Sequence, residues 1–278
     1  MKKPTISIML CAYNASRYIR EAIDSILAQT YNDFECVIVD DGSTDDTLEI
    51  IQSYRDSRIR TIACPHNYIK SLNTGMRVCR GKYIARMDAD DRITPNRLER
   101  QYAVMEENPE IAVCFSWGRT FGQIEEPIGH CAKGRINHSY FWLLTGNYLM
   151  HPTAMIRSEF IRIHHIKYKE YPYAEDYKLW TDITRIGGVF YVIPEPLFYY
   201  RISKSQVSVK HRKEQIETSL VIQQEVIEEL LRRLKHPKKK ALRGIYQRML
   251  ELNQADLMQG YEVVATMYRL FRRTHFFV

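Results

Sequence analysis

Three carboxylates, Asp88, Asp90 and Asp91, stand within four residues of "RMDADD", directly after an apolar run. Like charges this close repel, so the cluster calls for something positive, or something held by oxygens, to offset them. A solvated acidic turn is the plain alternative. Two other stretches also follow strand-like runs. "CAYNAS" carries Tyr13 and Asn14, and "VDDGSTD" carries the pair Asp40 and Asp41. Read alone, the second is equally a turn that supplies an N-cap to the next helix. In open α/β sheets ligands bind beyond the carboxyl ends of the strands, and three loaded ends on one edge would rarely arise by chance. The chemistry that fits is metal-bridged diphosphate binding. Mg2+ and Mn2+ take oxygen ligands, commonly one or two carboxylates completed by phosphate oxygens and water. Neither a G-x-x-x-x-G-K-[ST] loop nor a G-x-G-x-x-G turn competes for that edge.

A further pair of carboxylates lies in "YPYAEDYKLWTDITRIGG" (171–188), where Leu179, Ile183 and Ile186 mark a helix that begins near Glu175 and Asp176. Carboxylates there complement the helix dipole, worth ~0.3–1 kcal/mol. Near the loaded edge, one of them could instead accept a proton from an attacking hydroxyl.

The elements that must position these groups alternate. "TISIML" (5–10) and "ECVIVD" (35–40) are nearly continuous apolar runs, as parallel strands buried on both faces require. Further strands are expected at 58–63, 82–87 and 111–117, with helices around 17–29, 46–54, 69–79 and 95–107. Thr94 followed by Pro95 predicts the start of the last of these, as N-cap and first helical residue. This alternation means an α/β fold with a largely parallel sheet. The stretch 118–139 has glycines, a proline and mixed charge without period, and reads as a long loop of the kind that carries function. Strands return at 149–156, 188–193 and 196–201. From about 210 the period is helical, with Ile216, Leu220, Ile227, Leu231 and Leu234 on one face. A boundary near Val209 therefore divides a catalytic domain over 1–209 from a C-terminal helical extension over 210–278.

Composition narrows the class. Of 278 residues, 45% are hydrophobic and 26% charged, which is globular rather than disordered. Six scattered cysteines with no C-x-x-C pair point to a reducing compartment and no structural zinc. The opening "MKKPTISIMLCAYNAS" imitates a signal peptide, but its apolar part is short and lacks a cleavage site, so a first strand is expected. No apolar run reaches the ~18 residues of a membrane span, and a cytoplasmic protein is expected. The net charge of +7 is concentrated in residues 210–278, where fourteen Lys and Arg face eight Asp and Glu. An electrostatic partner is to be sought there. Within 260–278, Val263, Val264, Met267, Tyr268, Leu270 and Phe271 fall on one helical face and Arg269, Arg272 and Arg273 on the other. Such a helix packs on protein, in this chain or a second copy, or lies on the inner leaflet of the cell membrane with Lys238–Lys240, Phe276 and Phe277 contributing. No nucleic-acid recognition motif accompanies the basic charge.

Four stretches, "ISIMLCAYNASRYIREAIDSILAQTYNDFECVIVDDGSTDDT", "GKYIARMDADDRITPNRLERQ", "HPTAMIR" and "AEDYKLW", occur in this order within residues 5–201. In this combination the chain resembles nucleotide-sugar-dependent glycosyltransferases of family 2. That resemblance implies a single glycosyltransferase-A domain, Rossmann-like with a mostly parallel sheet, carrying the C-terminal helical extension. By the same resemblance Ala12, Tyr13 and Asn14 line the nucleotide pocket, and Asp41, with Asp40 beside it, faces the base. Asp88, Ala89 and Asp90 match the family's D-x-D. Asp90 would be the direct ligand of Mn2+ or Mg2+, with Asp88 nearer the ribose and diphosphate. Asp91 and Glu175 would lie on the acceptor side or behind the site. Asp176, second of the E-D pair, matches the catalytic base of inverting members, and His151 a polar position near the donor. The chain departs from the family in two places. "HNYIKSLNTG" has Ile69 where many relatives have glycine and Leu72 where they have arginine, leaving Lys70 as a source of positive charge. "YYRISKSQVS" lacks the histidine of many relatives, leaving Arg201 and Lys204 as substitutes.

The activity implied is inverting transfer from a nucleotide-diphosphate sugar, most commonly a UDP-sugar, to a hydroxyl of a glycan or lipid-linked acceptor, in bacterial surface polysaccharide synthesis. A catalytically silent nucleotide-binding protein would have lost Glu175-Asp176. A metal-dependent nucleotidyltransferase would carry a basic, Gly-rich loop where "CAYNAS" stands.

Overall fold

The computed structural model describes residues 3–202, apart from 123, 130, 131, 137, 138 and 145, together with 210–233 and 244. Four parallel strands carry the first half: β1 (Ile6–Ala12), β2 (Phe34–Asp40), β3 (Ile59–Ala63) and β4 (Tyr83–Asp88), in the order β3-β2-β1-β4. Every residue of β2 is buried. The period-2 alternation of a strand explains why. Cys36 and Ile38 face one core with Ile8 and Leu10, whereas Val37 and Val39 face a second with Met9. Helices α1 (Ile19–Leu27) and α2 (Thr47–Ser53) cover the first face, and α3 (Tyr68–Val78) the second.

The chain continues through β5 (Arg92–Ile93), α4 (Arg97–Glu107), β6 (Ile111–Phe121), β7 (Pro127–Ile128), β8 (Gly134–Ile136) and α5 (Ser139–Leu144). A 3-10 turn (His151–Thr153), β9 (Met155–Arg157), α6 (Ser158–Ile163), α7 (Glu175–Arg185), β10 (Val189–Arg201) and α8 (Arg212–Arg233) follow. The sheet is completed in the order β4-β9-β6-β10-β5. Strand β9 runs antiparallel to both β4 and β6, and β6 runs parallel to β10. This is the expected α/β, mostly parallel architecture, with antiparallel additions. Among the described residues no helix is long and apolar enough to cross a membrane.

Several boundaries differ from the sequence reading. Helix α4 begins at Arg97 with Asn96 as its cap residue, not at Pro95. The Thr94 N–H is tied to Leu197 O at 3.1 Å, which holds that residue beside β10. The expected strand over 149–156 starts only at Met155. Pro152 has no N–H for a ladder, and His151–Thr153 coil into the 3-10 turn instead. The segment 118–139 is not all loop: β6 runs on to Phe121, and β7 and β8 lie within it. Gly118 hides the strand pattern but has a packing reason, since a Cβ there would stand 3.0 Å from Phe198 O. The strands expected at 188–193 and 196–201 form one irregular strand, β10, with register shifts around Ile193–Phe198.

Helix α8 buries Ile222, Val226 and Ile227, while Ile216 and Leu220 are half-buried. Its contact face is thus rotated toward α5 and α7. The Leu231 side chain, Leu234, Lys204 and the whole of 260–278 lie outside the described residues, as do Lys238–Lys240.

Candidate active site

Strand register brings the loaded ends together: Ala12 is level with Asp40, and Cys11 with Asp88. Beyond them the chain is tied across the gap, Asp41 N–H donating to Ala12 O at 2.8 Å. Asn14 adopts a left-handed φ of 46°. Its side-chain oxygen accepts from Thr44 N at 2.8 Å, and its own N–H donates to Ser43 Oγ at 3.0 Å. The Asn14 side chain therefore binds two loops to each other, leaving Tyr13, 46% exposed, as the open face of this segment. Tyr13 stacks on His66 with centroids 4.0 Å apart.

Asp40 and Asp41 are both buried. Asp41 Oδ1 accepts from Asn67 N (2.8 Å) and Ser71 Oγ (2.6 Å), while His66 Nδ1 is hydrogen-bonded to the Asp41 backbone O at 3.0 Å and stands 3.0 Å from Oδ2. Asp41 thus fixes the start of α3 and the platform under Tyr13. Asp40 Oδ2 accepts from Ser43 N at 3.3 Å, while its Oδ1 is buried without a hydrogen-bond partner.

The acidic cluster has a counter-charge within the chain. Arg86, 3% exposed in β4, makes an ion pair with Asp88 and donates to Tyr68 OH at 3.0 Å. Burial opposes the Arg86 charge, but Asp88 foremost and Tyr68 hold it charged. Asp88 remains partly open to solvent. Burial, then the charge of Asp88, pushes the Asp90 carboxyl up to about 6. The same causes push Asp91 well above the usual carboxylate range. Asp91 is 1% exposed and turns inward, its Oδ1 accepting from Arg201 N at 2.7 Å. Arg201 donates from Nε to Asp90 O (2.7 Å) and from Nη2 to Glu21 (2.9 Å), and lies over Tyr18 and Phe121. Asp91 and Arg201 together staple the end of β10 beneath the acidic turn.

Helix α7 delivers the second pair. Asp176 Oδ2 accepts from Asn147 Nδ2 and Oδ1 from Tyr177 N, each at 2.7 Å. Burial raises its pKa against these bonds. Burial, then the charge of Asp176, pushes Glu175 up to about 7, and Glu175 also feels Arg86 and Asp88. The two carboxylate pairs thus sit within electrostatic reach of one another around Arg86.

His151 is in the interior, its Nε2 2.6 Å from Tyr168 OH and its ring edge-on to Trp180. Burial, then Arg86, keeps it neutral. Lys70 is exposed in the first turn of α3, and Ala89 is buried between Asp88 and Asp90. The sequence reading passed over Arg86, His66, Tyr68, Asn147 and Tyr168. For Arg86 a signal existed, a lone cation inside an apolar strand two residues before Asp88. The others are recruited by tertiary contact and left none.

Among the described residues no three His, Cys, Asp or Glu side chains close around one point. Asp88 and Asp90 are a donor set that fits a divalent ion whose other positions go to phosphate oxygens and water. Burial, then Asp88, raises the Asp90 carboxyl, and a cation bound there would favour its ionised form.

A family model described as glycosyl transferase family 2 matches residues 7–163. An uncharacterized glycosyltransferase of Haemophilus influenzae is 37% identical over 81% of this chain and 73% of its own. The UDP-Glc:alpha-D-GlcNAc-diphosphoundecaprenol beta-1,3-glucosyltransferase of Escherichia coli is 30% identical over 78% of this chain and 85% of its own. Among solved structures, S. aureus TarS 1–349 in complex with UDP-GlcNAc superposes with a TM-score of 0.70. It is 20% identical and covers 87% of this chain and 71% of its own. A Pyrobaculum calidifontis mannosyltransferase in complex with GDP-Man and Mn2+ gives a TM-score of 0.62 at 17% identity, over 98% and 81%. At these identities the two structures establish the glycosyltransferase fold alone.

Proposed function

The chain belongs to glycosyl transferase family 2, and from that premise we propose that it transfers a sugar with inversion from a UDP-sugar to a hydroxyl of a lipid-linked glycan. The observation that carries the chemistry is the meeting of Asp88 and Asp90 with Glu175 and Asp176 around the buried Arg86. The donor reading is supported by UDP-GlcNAc in the complex of a fold neighbour, and the acceptor reading by the diphosphoundecaprenol-linked substrate in a relative's name.

In this mechanism Tyr13 and His66 offer an aromatic platform to the base, and Asp41 holds that platform in place. Asp176, oriented at both oxygens by Asn147 and the Tyr177 N–H, takes the proton from the acceptor hydroxyl. That oxygen attacks the anomeric carbon, and the breaking C–O bond leaves its electron pair on the diphosphate. Burial and the charge of Asp176 raise Glu175, which favours a single negative charge on the pair. Burial raises Asp176 toward neutrality and so makes it a stronger base than an exposed aspartate. Asp90 and Asp88 are the residues that would hold Mn2+ or Mg2+, which when bound supplies Lewis-acid stabilisation to the leaving diphosphate. Arg86 balances Asp88 within the protein.

The test is protection from thermal unfolding by UDP-glucose, UDP-GlcNAc and GDP-mannose, with and without Mn2+. A ligand bound at a hundred times its Kd stabilises by about 2.7 kcal/mol. Protection by a UDP-sugar that requires Mn2+ is expected. Protection by none of the three, or only by the GDP-sugar, would overturn the donor assignment.

A further inference from the structure

The turn before α7 has a residue of the wrong kind in it. Ala174 N–H donates to Tyr171 O at 3.0 Å, closing a four-residue turn with Pro172 and Tyr173 at its centre. Proline is at home in the first central position, but Tyr173 has a φ of +60°. A left-handed residue there marks a type II pattern, in which glycine or asparagine is the ordinary occupant. A tyrosine with a Cβ is strained in this region, and such strain persists only where neighbours hold it.

The neighbours come from α8 and the residue before it. His211 stacks flat on the Tyr173 ring, centroids 4.2 Å apart and planes 10° from parallel. Gln215 Nε2 donates to Tyr173 O at 2.8 Å. Farther along α8, Glu225 accepts from Tyr171 OH and pairs with Lys178, one helical turn beyond Glu175. Both the opening residue and the left-handed residue of the turn are therefore held by the α8 segment. The next three residues are Ala174, Glu175 and Asp176.

We propose that His211 and Gln215 are positioning residues of the transfer reaction. By holding Tyr173 left-handed they fix the first turn of α7 and aim Asp176 at the acceptor hydroxyl. This rests on the reading of Asp176 as the base. A glycine at 173 would satisfy the turn without strain. The tyrosine is explained by the ring contact that glycine cannot make, which links the placement of the carboxylate to the segment after residue 209. A shift of an ångström in a catalytic group is enough to cost about a hundredfold in rate.

The experiment combines hydrogen exchange at the amides of residues 175–178 with steady-state release of UDP from UDP-GlcNAc or UDP-glucose in Mn2+. His211→Ala and Gln215→Ala are expected to speed exchange in that first turn about tenfold, leaving 179–185 unchanged. They should lower kcat about tenfold with KM for the donor within twofold. His211→Phe and Tyr173→Phe, which keep the stack, should match the wild type. Tyr173→Gly relieves the backbone and should not lower the melting temperature, yet should lower kcat, which a merely structural role for the tyrosine would not do. Unchanged first-turn exchange in both alanine variants would overturn the proposal, as would a fall in kcat that His211→Phe fails to restore. Asp176→Asn separates the two readings. Wild-type turnover in that variant, with fast exchange in the alanine variants, removes the base assignment and leaves the clamp. Inactivity of Asp176→Asn with unchanged exchange does the reverse.

Discussion

Arg86 lies inside β4 with its guanidinium on Asp88, while Arg201 holds Asp90 O and Asp91 Oδ1. Burial, then the charge of Asp88, still pushes Asp90 up to about 6. A carboxyl whose folded pKa is raised contributes stability that is full below its unfolded value near 3.8 and is lost as pH rises through the folded value. At neutral pH, then, an ionised Asp90 works against the ligand-free fold. Asp90→Asn is expected to raise the melting temperature at pH 7 and to abolish Mn2+-dependent protection by the UDP-sugar. Calorimetry showing wild-type UDP affinity in Mn2+ for this variant would remove Asp90 from the site. Asp176→Asn should leave donor binding intact and slow transfer by ~10²–10⁴-fold, the usual contribution of a general base; single-turnover rates with saturating donor measure it. Which residues gather at the strand ends was legible, because Asp40, Asp88 and Asp90 follow apolar runs directly. What their side chains touch was not. Asp41 and Asp91 are turned inward by Ser71 and Arg201, 30 and 110 residues away in sequence, and the exposed Asn14 is tied to Thr44, 30 residues away. Likewise, an aspartate in a helix's first turn reads as ionised with an ordinary pKa, and only the packing of α7 reveals the burial that raises it.

At the level of elements, a buried carboxylate far from the site holds the first four strands in register. Glu35 in β2 accepts from Ser7 Oγ of β1 (2.7 Å), from Arg60 of β3 (2.7 Å), and from the backbone and side chain of Arg80 before β4. Burial alone would raise its pKa, but these bonds outweigh it and hold the carboxyl at about 2. A depressed folded value means stability that is complete above the unfolded pKa of 4.5 and is lost as pH falls toward 2. Unfolding by urea should therefore show a stability that drops steadily from pH 5 to pH 2.5, by about 2 kcal/mol from this residue. Glu35→Gln should be less stable at pH 7 and have a shallower slope over that range. An equal slope in wild type and variant would assign the acid loss elsewhere. The elements themselves were legible where burial is two-sided, as in β1 and β2. They were misread where an outside partner decides the boundary. Thr94 is captured by Leu197 before α4 can begin, and β6 outruns Gly118 because β10 continues beside it to Arg201.

The molecule as a whole depends on how α8 is joined to the rest. Ile222, Val226 and Ile227 are buried against α5 and α7, and Glu225 reaches Lys178 and Tyr171. Burying such side chains contributes ~1.5–3 kcal/mol each, so three amount to about 5–9 kcal/mol. That is comparable with the entire ~5–15 kcal/mol that holds a domain folded. A chain ended at residue 209 would also take Glu225 away from Lys178, which is nearly buried in α7 and pairs with Asp182 as well. Such a chain is expected to lose cooperative unfolding and UDP-sugar protection together. A chain ended at Leu257 retains α8 and should keep both. Comparing the chain ended at Leu257 with the intact chain also addresses the segment 260–278, whose Arg269, Arg272 and Arg273 we propose meet the anionic face of a membrane. Each Lys or Arg near such a surface contributes ~1 kcal/mol, and the attraction weakens as salt is added. The intact chain should then sediment with phosphatidylserine vesicles in low salt and be released by salt, whereas the chain ended at Leu257 should stay in solution with its nucleotide binding unchanged. Equal sedimentation of the two would place the lipid contact N-terminal to residue 258 or remove it. Unfolding of the shorter one would mean that residues 258–278 pack on the protein, as α8 does.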